Sequence, residues 1–233
     1  MLALITGATK GIGYSISHAL AKKGYDLILN SRTAADLKGL KKEISEKHPE
    51  LRIATVTADL SSEEGRKGLL DQVGHFSCID ALINNAGVFQ TGKITEESDR
   101  ILKNALELNL MAPYHLTRAL LPQIQNSSQG HVVNICSVSS LQSFSNAGSY
   151  SISKHAMLGF SRNLRHELIP HGIKVTAVLP GSTWSDSWKG VDLPRTRLME
   201  PEEVAKVVVC ALSLGPSAVM EEVVLRPFEG DLA

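Results

Sequence analysis

Cysteine is scarce in this chain: Cys78, Cys136 and Cys210 are the three among 233 residues. They are odd in number, widely spaced and without a C-x-x-C pair or clustered histidines, which argues against a disulfide framework and a zinc site. They are expected to be reduced, mostly buried small residues, and no metal is expected. An excess of one charge is also missing. Lys and Arg number 24 against 24 Asp and Glu, giving a formal net charge of zero, and no block of like charge suggests nucleic acid or an anionic membrane as partner. Long apolar runs are absent too. The most apolar late stretch, VAKVVVCALSL, is broken by Lys206 and falls short of the ~20 residues of a membrane span. MLALITGATK enters a strand-like run at once, so no secretory leader is expected. A soluble, cytoplasmic protein is expected.

The 43% hydrophobic content can furnish one sizeable core, and no linker, repeat or low-complexity tract divides residues 1–233. Short β-branched runs alternate with longer helical patterns: LALIT, GIGYSISHALAKKG, DLILNS, AADLKGLKKEISEKH, RIATVTADL. That is βαβαβ. Helices are predicted near Ser61 to Val73, across Ile101 to Gln123, from about Ser149 to Leu168 and near Glu202 to Ser213. Strands are predicted at Ala81 to Asn84, His131 to Cys136, KVTAVL and VVLRP. The implied fold is α/β, a doubly wound, mostly parallel seven-stranded sheet with helices on both faces, of Rossmann type and a single domain. Ser182 to Pro201 carries Trp184, Trp188, Gly190 and Pro194 and reads as a substrate lid near 182–201, or as a surface excursion anchored by its tryptophans.

The first strand runs into TGATKGIG, with Gly7, Gly11 and Gly13 before a helix. Glycines at a first βα turn let the backbone approach a pyrophosphate on the helix N-terminus, although the spacing is G-x-x-x-G-x-G rather than G-x-G-x-x-G. Thr9, Lys10 and Ile12 complete the loop. At the end of the second strand, where an NAD site presents a carboxylate to the ribose, stand Asn30, Ser31, Arg32 and Thr33. The missing acid, with Arg32 and Lys10 as cations, points to the 2′-phosphate of NADP(H). Asp59, followed by Leu60, either accepts from an adenine amino group or caps the next helix. Asn84 to Gly87, with Asn85 and Ala86 between, ends the fourth strand and either borders a cofactor or forms an ordinary turn.

Tyr150 and Lys154 share a helix face at i and i+4, and Ser137 lies thirteen positions before the tyrosine. An ammonium beside a phenol favours the phenolate, so the set outlines a proton-transfer site. Reduction of a carbonyl puts charge on its oxygen, for which Ser137 and Tyr150 supply a hydroxyl donor and a proton. Asn109, within ALELNL, is either a site residue or plain helix surface.

Glycine loop, Asp59, NNAG, Asn109, Ser137, Tyr150, Lys154 and the Pro180–Gly181 pair occur in one order along the chain. This set resembles the short-chain dehydrogenase/reductase family. The resemblance implies Tyr150 as acid/base, Lys154 on the nicotinamide ribose and supporting the phenolate, Ser137 orienting the carbonyl and Asn109 holding a relay water. It also implies Pro180, Gly181 and Thr183 beside the nicotinamide. Within the family, SRTAADL and the terminal EEVVLRPFEGDL resemble a bacterial sepiapterin reductase branch. PGSTWSDSW departs from the frequent P-G-x-x-x-T form, with Ser185 at the threonine position.

The expected activity is therefore NADPH-dependent reduction of a small-molecule carbonyl, with a sepiapterin-like ketone as one substrate. Phe144, Trp184 and Trp188 form an aromatic platform, or else pack beneath the lid. Alternatives are a 3-oxoacyl thioester reductase, a sugar or alcohol dehydrogenase of the same family, and an NADP(H)-sensing binding protein without chemistry. A carrier-bound thioester would want a basic patch, and Arg165, His166, Lys174 and Lys189 do not make an obvious one. The resemblance further implies a homodimer or homotetramer.

Overall fold

The computed structural model describes residues 1–185, 188 and 190–231. Lys189, Leu232 and three other positions, including two inside the expected lid, lie outside the described residues. The elements alternate as β1 (Leu2–Ile5), α1 (Gly11–Lys22), β2 (Asp26–Ser31), α2 (Ala34–Lys47), β3 (Ile53–Thr57), α3 (Glu63–Val73) and β4 (Ala81–Asn84). There follow α4 (Asp99–Leu106), a π-turn (Glu107–Met111), α5 (Ala112–Gln125), β5 (His131–Ile135), α6 (Gly148–Leu168), β6 (Lys174–Pro180), α7 (Pro201–Ser213) and β7 (Glu222–Leu225).

The strands form one seven-stranded sheet in the order β3-β2-β1-β4-β5-β6-β7, parallel at every pairing. Because helices cover both faces, the central strands are apolar at nearly every position. Alternation assigns each side chain to a face. Ala3, Ile5, Leu27, Leu29 and Ile83 join Ile16 and Leu20 of α1, Leu37 and Leu40 of α2, and Val204 and Val208 of α7. Leu4, Ile28, Leu82 and Val132 point the other way, to Leu69 of α3, Leu116 and Leu120 of α5 and Leu164 of α6.

The chain leaves β1 toward β2 and β3, then returns to place β4 on the other side of β1. Crossovers diverge there, opening a crevice at the carboxyl edge between β1 and β4. Thr6 closes its floor, accepting at Oγ1 from the amides of Asn85 and Ala86, both at 3.0 Å.

Two sequence expectations change. Cys136 is buried, but Cys78 is half-buried and Cys210 exposed, so the cysteines are not mostly core residues. The helix expected across Ile101 to Gln123 is interrupted by the π-turn Glu107–Met111. Pro113, in the first turn of α5, has no N–H for the carbonyl four residues back. The Ala112 amide bonds instead five residues back, to Glu107 O, the bond that defines a π-turn.

Candidate active site

The carboxyl edge of the sheet opens into a cleft of about 940 Å³. One half is built by the loop after β1 and the end of β2. Gly7 and Gly11 take positive φ. Gly13 does not line the cleft; it is where α1 meets the loop, and a Cβ there would overlap Gly7 O and lie 2.5 Å from Asn85 Nδ2. α1 starts without a side-chain cap or an acidic first-turn residue, so its positive end faces the cleft beside Gly11 and Ile12, a setting suited to a phosphate. Thr9 Oγ1 donates to Ser31 Oγ at 3.0 Å, tying the loop to β2. Lys10, Ser31, Arg32 and Thr33 line the same end, Arg32 and Thr33 exposed.

Asp59 borders this half but does not cap α3. Ser62 does, accepting from Gly65 N at 3.0 Å. Asp59 Oδ1 accepts from Ser61 N at 3.0 Å and Ser61 Oγ at 2.7 Å. Burial pushes the Asp59 carboxyl upward, but the Ser61 bonds and the Arg32 charge together hold it below the ordinary range. Leu60 borders the cleft, and its side chain belongs to the core. Asn85 donates from Nδ2 to Thr6 O at 2.9 Å and Gly7 O at 3.1 Å, its amide being spent on the glycine loop. Ala86 and Gly87 line the cleft beside it.

The other half is built around α6, the π-turn and the loops after β4 and β5. Lys154 is 7% exposed; its Nζ donates to Ile135 O at 2.9 Å and stands 5.8 Å from the centre of the Tyr150 ring. Ser137 is buried and its Oγ accepts from Ser139 N at 3.1 Å. Asn109, an alternative surface residue by its sequence, is buried inside the π-turn. Its Oδ1 accepts from Val88 N at 2.8 Å, and its Nδ2 donates to Val88 O at 3.0 Å and to Ser153 Oγ at 2.9 Å. Ser153 Oγ in turn donates to Tyr150 O at 2.7 Å. Gly87 lies between the groups: a Cβ on it would be 3.1 Å from Asn109 Oδ1 and 3.8 Å from Lys154 Nζ. Burial pushes the neighbouring Cys136 thiol up to about 12, against the opposing charge of Lys154, so it stays protonated.

Pro180, Gly181 and Thr183 close this half, Thr183 Oγ1 donating to Gly181 O at 2.9 Å. Phe144, Trp184 and Trp188 line the mouth. Trp184 also has a packing role, since its Nε1 donates to Arg195 O at 2.8 Å and the Arg195 guanidinium stands 5.5 Å from its ring centre. The segment is tied at its base by a bridge between Thr183 and Met199. Sequence reading missed Phe89, whose ring meets that of Tyr150 edge-on at 4.8 Å between centres, and Asn146, which lines the cleft at φ +60°. Nothing local marks Phe89, but asparagine between serine and alanine before a helix is a turn signal. Among the described residues no cluster of metal-ligating side chains occurs, and no helix is long and apolar enough to cross a membrane.

The family described as short chain dehydrogenase matches residues 1–195. The chain belongs to the short-chain dehydrogenase/reductase family. Among its family relatives, the sepiapterin reductase of Chlorobaculum tepidum is 32% identical over 241 residues, covering 98% of this chain and 97% of that protein. Among solved structures of the family, L-sorbose reductase from Gluconobacter frateurii, complexed with NADPH and L-sorbose, superposes with a TM-score of 0.89. It is 27% identical and the match covers 96% of this chain and 94% of that one. An alcohol dehydrogenase from Thermococcus sibiricus, complexed with 5-hydroxy-NADP, also gives 0.89, at 25% identity and 100% and 98% coverage.

Proposed function

We propose that this oxidoreductase is an NADPH-dependent carbonyl reductase in which Tyr150 is the acid. The observation that carries the reading is that Tyr150, Lys154 and Ser137 line one half of a cleft, with Asn109 buried behind Gly87, while the other half suits a dinucleotide phosphate. The fit to NADP(H) rests on the close approach of Gly7 and Gly13, the uncapped start of α1, and Arg32 where an NAD site holds an acid. When bound, the cofactor supplies a hydride equivalent to the carbonyl carbon.

The chain's own groups handle the oxygen. Ser137 Oγ, which accepts from Ser139 N, keeps its own proton to donate to the carbonyl oxygen, and Tyr150 passes its phenolic proton to the forming alkoxide. Lys154 offers a positive charge beside the phenol as that proton leaves, and in this reading also holds a ribose hydroxyl. Asn109, locked by Val88 and Ser153, keeps the relay to solvent in register, through which the phenol regains its proton. Residues 182–201 act as the substrate lid over this single cofactor-binding domain.

The substrate in this reading is a small ketone with a flat ring, of the pterin side-chain type. Its support is the aromatic mouth of Phe144, Trp184 and Trp188 and the likeness to a sepiapterin reductase. In the same reading the protein works in the cytoplasm as a homodimer or homotetramer through α5 and α6, which expose Tyr114 and Ile152; light scattering tests the assembly.

The deciding experiment follows NADPH oxidation against sepiapterin, an acetoacetyl thioester and a ketose, with wild type and Tyr150→Phe. The variant is expected to bind NADPH normally and to lose turnover by about 10²-fold or more. Undiminished turnover would sink the assignment of Tyr150. Tight NADPH binding without turnover of any carbonyl would favour a nucleotide-sensing protein.

A further inference from the structure

α6, which carries Tyr150 and Lys154, starts without a side-chain cap of its own. Ala147 occupies its N-cap position and offers no acceptor, although first-turn amides need partners. A neighbouring loop supplies one acceptor and is tied to the same turn by further contacts. Gly92 O accepts from Gly148 N at 3.3 Å, and Gly92 N donates to Asn146 O at 2.8 Å. Glu97 completes the dock: its Oε1 accepts from Ser149 Oγ, a residue 1% exposed, and its Oε2 is buried without a hydrogen-bond partner. A carboxylate at the positive end of a helix is favoured by the aligned peptide dipoles. Ile94 presses on the same turn so closely that a Cβ on Gly148 would overlap Ile94 Cγ1.

The other end of this loop reaches the reacting groups. Val88 exchanges two backbone hydrogen bonds with the Asn109 side chain, and Phe89 packs edge-on against Tyr150. One loop therefore touches the start of α6, the Tyr150 ring and Asn109. We infer that Glu97 is a positioning residue: by fastening the loop to the first turn of α6 through Ser149, it fixes the Tyr150 phenol and the Phe89 ring against it. The inference rests on the reading of Tyr150 as the acid. Glu97 itself touches neither the phenol nor the cofactor cleft.

The test compares Glu97→Ala, Glu97→Gln and Ser149→Ala, reading kcat, carbonyl KM, NADPH affinity by fluorescence, and hydrogen exchange at amides 148–151. Loss of the Ser149 bond and loosening of the docked loop should lower kcat about tenfold in Glu97→Ala, speed exchange at those amides, and leave NADPH affinity within about twofold. Glu97→Gln keeps an acceptor for Ser149 and should recover most of the rate, whereas Ser149→Ala should behave like Glu97→Ala. Adding Phe89→Ala to Glu97→Ala should cost little more than either change alone, because both act through one contact. Unchanged kcat or unchanged exchange in Glu97→Ala overturns the inference, as does a loss of NADPH affinity equal to the loss in kcat. The exchange measurement needs no turnover, so it judges Glu97 even if Tyr150→Phe shows the catalytic reading to be wrong.

Discussion

Pro113 stands four residues after Asn109 and cannot donate to its carbonyl, and the helix answers with a π-turn that buries the asparagine. Helix continuity is given up where a polar side chain must face inward, a trade often found at functional sites. Pro113→Ala restores the missing N–H and should let the turn relax toward α-helix. The expected result is an unchanged or higher melting temperature with kcat reduced about tenfold or more, since small misplacements of catalytic groups are costly. A variant as fast as wild type would show that the π-turn does not depend on Pro113 or does not matter to the rate.

Arg32 lines the cleft beside Ser31 and Thr33, exposed, and β2 ends without an acid. A charge-assisted contact to a 2′-phosphate is worth about 1.5–3 kcal/mol, so Arg32→Glu should weaken NADPH about tenfold to a hundredfold. NADH should be affected little or favoured. Equal affinities of the wild-type protein for NADPH and NADH in a titration would remove the basis for this expectation.

Gly13 sits in the first turn of α1, where alanine would ordinarily stabilise the helix by up to about 1 kcal/mol. Packing opposes that gain, because a Cβ would overlap Gly7 O and crowd Asn85 Nδ2. Overpacking costs about 1–3 kcal/mol, so Gly13→Ala should lower the melting temperature and displace the glycine loop. A thermal melt that rises instead would mean the loop yields without cost.

His131 is buried in β5 against Thr176 Oγ1 at 2.8 Å. Burial, helped by the charge of Lys174, lowers its pKa to about 4, while the unfolded chain has the ordinary value near 6.5. The imidazole is therefore neutral in the fold, and the unfolded state binds the extra proton between these values. Stability from this residue is complete above about pH 6.5 and declines as pH falls toward 4, by about 3 kcal/mol in all. Chemical denaturation at a series of pH values should show that slope in wild type and a shallower one in His131→Asn.

The alternation of apolar strands with amphipathic helices was legible along the chain, as were the glycine loop, the absent acid after β2 and the spacing of Ser137, Tyr150 and Lys154. These are local matters: a strand covered on both faces must be apolar, a tight turn onto a helix must be glycine-rich, and i, i+4 residues share a face whatever surrounds them. Asn109 was ambiguous because a helical pattern says nothing about a single inserted residue, though Pro113 was the signal present. Asp59 was ambiguous between two roles because Ser61 and Ser62 compete for the same turn.

Tertiary structure alone decided which chain segments became neighbours. The order β3-β2-β1-β4-β5-β6-β7 brings Gly7 beside Ala86 and Lys154 beside Ile135. Burial spent the Asn85 amide on the glycine loop and committed the Leu60 side chain to the core. Phe89 and Glu97 acquired their places near Tyr150 and Ser149 from a loop with no periodic pattern. The physical reason is common to all of these: hydrogen-bond partners and van der Waals neighbours far apart in the chain are chosen by packing, and no short window of sequence contains both members of such a pair.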